Sequence, residues 1–239
     1  MTELDTARIL AELYDPLDPD RSDLDVYAAV VDELGARSVL DIGCGTGTFA
    51  CLLATRGVEV VGVDPDGASL DVARGKPGAQ RVRWVHGVAA DLPPLQVDLA
   101  TMTANVAQAI VGTHDWDATL RAAAARLRPG GHLVFETRDP TRQAWLGWTR
   151  EHTWARTEVP GFGTVQEWIE VTEVRGPLVS FRATTVVDGT ALTAHSTLRF
   201  RERDEVHRSL VAAGFEVAEV RDAPDRPGRE LVFVARCPA

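Results

Sequence analysis

The segment SVLDIGCGTGTFA, Ser38 to Ala50, constrains the chain more than any other. A five-residue apolar run of strand character ends in Gly43, Gly45 and Gly47, and a helix-forming stretch follows. Glycines at alternate positions let a backbone leave a strand, reverse and enter a helix within a few residues. They also leave space for a ligand to approach the main chain closely. A turn of this kind belongs at the end of a strand in a sheet whose faces are covered by helices.

The text around it agrees. VEVVGVD reads as a second strand and DGASLDVARG as a helix with Asp66 at its N-cap. RVRWVHG, VDLATMT and HLVFETR read as three further strands, the last preceded by the helix DWDATLRAAAARLRPGG, which Pro129 and two glycines end. Apolar strands alternating with helices predict a parallel sheet buried on both faces. After Asp139 the pattern changes to polar–apolar alternation, with turn signals at Arg175-Gly176-Pro177 and Asp188-Gly189. That predicts antiparallel hairpins. Helix and strand then resume with RDEVHRSLVAAG, FEVAEVRDA and RELVFVARC. The expected organisation is one α/β domain from residues 1–138 and 201–239, with residues 139–200 inserted as an antiparallel β cap over a substrate.

The glycine spacing G-x-G-x-G fails the dinucleotide pattern G-x-G-x-x-G, and Thr48-Phe49 stands where a phosphate-binding loop would carry Lys-Ser/Thr. Asp41 closes the strand before the turn. A carboxylate there repels a pyrophosphate and suits a ligand whose near end is an ammonium. S-adenosylmethionine meets that description, with an amino acid tail, a sulfonium and no phosphate. The bland alternative, a turn that only allows tight packing, accounts for one glycine better than for three and an acid.

On these residues the chain resembles the class I S-adenosylmethionine-dependent methyltransferases, whose signature is an acid followed by x-G-x-G-x-G after the first strand. The resemblance covers roughly residues 14–138 and the closing segment from Arg203, and leaves out the cap. It implies a doubly wound, seven-stranded, Rossmann-like sheet whose last strand is antiparallel. It also implies cofactor contacts at Asp41, Gly43, Cys44, Gly45 and Gly47, with Asp64 and Pro65 after the second strand. Asp64 would accept both ribose hydroxyls; Asp66 is the better helix cap. After the third strand the family reads G-[DN]-A-x-x-L-P, and here GVAADLPP puts Val88 in the acidic position. Adenine would then rest on the Ala89 backbone and apolar packing, with Asp91 either a substitute or a solvated loop residue. Thr103, Ala104 and Asn105 end the fourth strand, where ligands of parallel sheets bind. Asn105 is either a ligand contact or a turn residue. Tyr14, in ELYDPLDPD, either closes over the methionine end or simply packs.

A sulfonium is already a strong electrophile, so the transfer needs an aligned nucleophile and exclusion of water more than a catalytic constellation. If a general base is used, His114 is the first candidate, since free imidazole titrates near pH 6.5; a surface or helix-cap histidine is its alternative. His152 and Glu136 follow. Trp145, Trp148, Trp154 and Trp168 fall in or beside the cap, as a pocket lid or as a small core of its own.

Composition narrows the partners. A net charge of −10 disfavours nucleic acid and anionic membranes. No apolar run reaches the roughly 20 residues of a membrane span, no secretion signal opens the sequence, and three cysteines without paired spacing fit a reducing cytoplasm. No metal-ligand pattern is visible. The expected activity is methyl transfer to oxygen or nitrogen of a small organic molecule, with oligomeric state left open. The rivals are a non-catalytic S-adenosylmethionine-binding protein and an NAD(P)-dependent oxidoreductase.

Overall fold

The computed structural model describes residues 2–238. Two helices, α1 (Glu3–Leu17) and α2 (Asp23–Glu33), precede the first strand, β1 (Ser38–Ile42). Then come α3 (Thr48–Thr55), β2 (Glu59–Asp64), α4 (Gly67–Arg74), β3 (Val82–His86), β4 (Val97–Met102), α5 (Val106–Ala109), α6 (Thr113–Arg126) and β5 (Leu127–Arg138). The short helix α7 (Arg150–Thr153) leads into β6 (Ala155–Val159), β7 (Gly163–Arg175), β8 (Leu178–Val187) and β9 (Thr190–Arg199). The chain closes with α8 (Arg203–Ala212), β10 (Glu216–Asp222) and β11 (Glu230–Arg236).

Seven strands form one sheet in the order β10-β11-β5-β4-β1-β2-β3. β1 to β5 run parallel, and β11 is antiparallel to both of its neighbours. The chain order reverses between β1 and β4, which creates the crevice at the carboxyl ends where doubly wound sheets bind ligands. Residues of alternate parity feed two cores. Leu40, Met102, Phe135 and Phe233 pack with Trp116 and Leu120 of α6 on one face. Val39, Leu99 and Val134 pack with Tyr27 of α2 and Phe49 of α3 on the other. Asp66 caps α4 as expected, accepting from the amides of Ala68 and Ser69.

Strands β6 to β9 form a separate antiparallel sheet in the order β6-β7-β8-β9. Asp188 and Gly189 both have positive φ, the geometry a two-residue hairpin needs to match strand twist. Trp145 and Trp148 meet Phe200 at 4.5 and 6.0 Å, and Trp148 also meets Phe181 at 5.2 Å, so these two rings build a small aromatic core. Trp154 is half exposed, and Trp168 lies under the Arg150 guanidinium. α1 joins this sheet to the rest, burying Leu13 against Val159 and Val165.

One boundary differs from expectation. β5 starts at Leu127, before the Pro-Gly-Gly sequence, because Leu127 already pairs with Val97. The next pair is Leu99 with His132, so Arg128–Gly131 loop out of register. Two hydrogen bonds to Cys237 at the end of β11 hold the loop.

Phe135 stacks on Phe233 at 5.3 Å and meets Trp116 edge-on at 5.7 Å, all fully buried. Phe135→Ala should lower unfolding free energy by about 3–5 kcal/mol in urea titration, through lost transfer energy and the cavity left behind.

Candidate functional site

β1 ends at Ile42 and the chain turns through residues with φ of 70°, 52° and 75° at Gly43, Gly45 and Gly47. Val63 of β2 fixes the turn: its carbonyl accepts from the amides of Gly43 (2.8 Å) and Cys44 (3.2 Å). A Cβ on Gly43 would come within 2.6 Å of the Val106 methyls, and one on Gly47 within 2.5 Å of the Trp84 ring. Packing therefore accounts for those two. A Cβ on Gly45 would meet nothing within 4 Å, so that residue presents bare backbone to open space.

Asp64 ends β2 beside the turn. Its two oxygens accept from the amides of Gly45 and Asp66, each at 2.8 Å, which fixes the carboxylate and leaves further lone pairs on each oxygen. Burial raises its pKa. A cavity of about 670 Å³ opens here, lined among others by Gly43, Asp64, Pro65, Val88, Ala89 and Val106. His86 bonds the Pro65 carbonyl and so holds one wall. His114 also lines the cavity, on the first turn of α6, with its side chain 90% exposed.

Deeper, at the carboxyl ends of β1, β4 and β5, lie three buried polar side chains. Asp41 accepts from the Thr101 hydroxyl at 3.0 Å through Oδ1, and its Oδ2 has no partner. Burial pushes its pKa from an ordinary 3.8 to about 7, with the nearby Asp64 adding to the rise. Glu136 accepts from the Asn105 amide through Oε1, and its Oε2 is unpartnered. Burial raises it as well, to about 7, against the opposing effect of the nearby Tyr27 hydroxyl and of the Asn105 amide. Asn105 donates its side-chain NH2 to Glu230 at 3.2 Å, and its Oδ1 is unpartnered. Ala104 and Asn105 both take left-handed backbone, φ 56° and 61°, a strain of roughly 1–3 kcal/mol per non-glycine residue. Glu136 and Glu230 hold this turn from two strands, and Thr103 is buried at its start. The turn reading of Asn105 thus has a structural basis, with one polar atom to spare.

Other sequence candidates lie differently. Cys44 acts in the turn through its backbone; its sulfur lies over Gly62, and burial raises the thiol pKa. Asp91 lies under Gly87, where it accepts from the Val88 amide and closes a short 3-10 turn, and it does not line the cavity. Tyr14, 50% exposed on α1, does not line it either. Its neighbour Asp15 is the residue of α1 that reaches the glycine turn. Asp15 accepts from the hydroxyls of Thr46 (2.9 Å) and Thr48 (3.0 Å) and pairs with Lys76 at 2.6 Å. Nothing local in the sequence announces that clamp. Among the described residues no cluster of metal-ligating side chains occurs, and no helix is long and apolar enough to cross a membrane.

Residues 39–131 match the family model described as a methyltransferase domain. The cypemycin N-terminal methyltransferase of a Streptomyces species is 37% identical over 108 residues, 45% of this chain and 44% of that protein. The chain spans about half the length of the curated relatives it matches. Among solved structures, the CcbJ methyltransferase of Streptomyces caelestis superposes with a TM-score of 0.78 at 25% identity, over 96% of both chains. The sugar N-methyltransferase KedS8 of a Streptoalloteichus species shares the fold, with a TM-score of 0.78 at 23% identity over 95% of this chain and 93% of that one.

A folded-state pKa above the unfolded value means that the native protein holds a proton the unfolded chain has released. For Asp41, stability therefore falls as pH rises from about 4 to about 7 and then levels, by about 1.4 kcal/mol for each pH unit crossed. Asp41→Asn keeps the Thr101 contact and removes this titration. Urea unfolding at pH 5 and pH 8 should show the fall reduced by about 2 kcal/mol in the variant.

Proposed function

We propose that this chain, whose residues 39–131 match a methyltransferase-domain model and whose fold is shared with solved S-adenosylmethionine-dependent methyltransferases, transfers a methyl group from S-adenosylmethionine to an oxygen or nitrogen of a small organic molecule. The observation that carries the reading is the conjunction of Asp64 lining a 670 Å³ cavity with a buried, half-partnered Asp41 on the neighbouring strand β1 and a Gly45 whose backbone faces open space. Asp64 would take the ribose hydroxyls, Pro65, Val88 and Ala89 the adenine, and the backbone of Gly43 to Gly47 the methionine part. Asp41 Oδ2, the orphaned acceptor, suits the ammonium end. Thr103 and Asn105 border the same region, with the Asn105 oxygen free to accept. Tyr14 and Asp91 would contribute only through movement of α1 and of the loop after β3.

The cofactor supplies a sulfonium-bound methyl, an electrophile that needs no further activation. The protein's part is placement. The rigid turn after β1 and the doubly anchored turn after β4 hold their backbones within narrow limits, and effective molarity follows from such alignment. A protonated acceptor needs a base, and His114 at the cavity mouth is the one we assign, with Glu136, buried beside Asn105, the alternative. The chain's acidity argues for a small-molecule substrate over nucleic acid, and its three free cysteines for a cytoplasmic setting.

Thermal unfolding with S-adenosylhomocysteine, NADH and NADPH in parallel tests the cofactor. At 100 times its dissociation constant a specific ligand adds about 2.7 kcal/mol. A shift with S-adenosylhomocysteine alone, abolished by Asp64→Ala, is expected; a shift with a nicotinamide refutes the reading. His114→Ala should cut turnover while leaving S-adenosylhomocysteine affinity unchanged, and equal turnover removes His114 as the base.

A further inference from the structure

A second cavity, about 770 Å³, opens at the same rim of the sheet but beyond β5. Its floor is Arg138 and Glu230, paired in register at the junction of β5 and β11. The connection between β10 and β11 supplies Arg226 and Arg229, and the segment leaving β5 supplies Arg142 and Trp148. Four guanidiniums thus face one carboxylate, a lining charge of +3 in a chain whose net charge is −10.

Internal pairing does not absorb that charge. Glu230 accepts from Arg226 at 3.0 Å and lies 3.8 Å from Arg138, so one acid serves two cations. Asp225 adds a contact to Arg226 at 3.4 Å. Arg138 is otherwise held by Gln108 at 2.9 Å and by the face of Trp148, 5.5 Å away; burial and the neighbouring Arg226 lower its pKa. Among the described residues, the side chains of Arg142 and Arg229 have no acidic partner and no hydrogen bond. Like charges gathered in a concave site, with planar donors free, suit a multiply charged oxyanion bound by forked hydrogen bonds.

We propose that this cavity binds the phosphate or diphosphate group of the methyl-accepting substrate. A carboxylate would neutralise one of the three excess charges, whereas a phosphate ester carries about −1.5 to −2 at pH 7. The cavity's size is in the range of small-molecule sites and leaves room beyond the anion. Its position fits the role. Glu230 on the cavity floor holds the Asn105 side chain, and Val106, the next residue, lines the cofactor cavity. The two cavities therefore flank the end of β4, and an anion anchored on one side projects the rest of its molecule towards the other. As a substrate anchor the site rests on the methyl-transfer reading; as an anion site it stands independently.

Calorimetric titration of the full chain with pyrophosphate, at constant ionic strength and with S-adenosylhomocysteine saturating, tests this. Pyrophosphate should bind at least about tenfold more tightly than acetate. The double variant Arg142→Gln/Arg229→Gln, made at exposed positions, should weaken pyrophosphate about tenfold or more and leave S-adenosylhomocysteine affinity unchanged. Arg156→Gln, on the distant edge strand β6, should change neither. Equal pyrophosphate affinity in the double variant, or acetate binding as well as pyrophosphate, overturns the proposal. Arginine-dependent pyrophosphate binding without any S-adenosylhomocysteine binding would uphold the anion site and refute the cofactor reading.

Discussion

The carbonyl of Val63 and the carboxylate of Asp64, adjacent on β2, between them accept the amides of Gly43, Cys44 and Gly45. Those bonds draw the exit of β1 across the end of β2, along a path that puts Gly43, Gly45 and Gly47 in the left-handed region. Gly43 and Gly47 also have no room for a Cβ, because Val106 and Trp84 occupy the space. The turn is thus fixed by neighbours from β2, β3 and α5, and the cavity beside it inherits that rigidity. α1 adds a lateral tie through Asp15 and Lys76, so the helix that packs against the four-stranded sheet is also bonded to the glycine turn.

The end of β4 is the second fixed point. Two successive left-handed non-glycine residues are unfavourable in isolation, and the turn is held because Glu136 on β5 accepts the Asn105 amide and Glu230 on β11 accepts the Asn105 side-chain NH2. The same arrangement buries carboxylates without full compensation. Asp41 and Glu136 each keep an unpartnered oxygen and a pKa raised to about 7, a cost to stability concentrated towards the carboxyl ends of the parallel strands. Strain and desolvation are thus localised near two cavities of different character, one largely apolar with Asp64 in its wall, the other lined by arginines.

Much of the fold was legible because its cues are local. Alternation of apolar runs and helices marked the parallel sheet, Asp66 marked the start of α4, and Asp188-Gly189 marked the β8–β9 hairpin. The looped-out Arg128–Gly131 was not legible, since it depends on Cys237 at the far end of the chain. The site divides in the same way. Asp41, the three glycines and Asp64 lie within one strand–turn–helix–strand unit, so their spacing could single them out as candidates.

The sequence by itself determined the layered α/β architecture, the glycine turn and an acid near the end of each of the first two strands, because residues a few positions apart must share a turn or a face. Only the tertiary structure decided that Asp15 clamps the turn, that Asp91 serves its own loop, and that Asn105 is held from two other strands. It alone assembled the arginine cavity, whose members span residues 138–229 and meet through the register of β5 with β11. Charge composition averages over the whole surface; a local reversal of sign exists only once the sheet has brought distant residues to one rim.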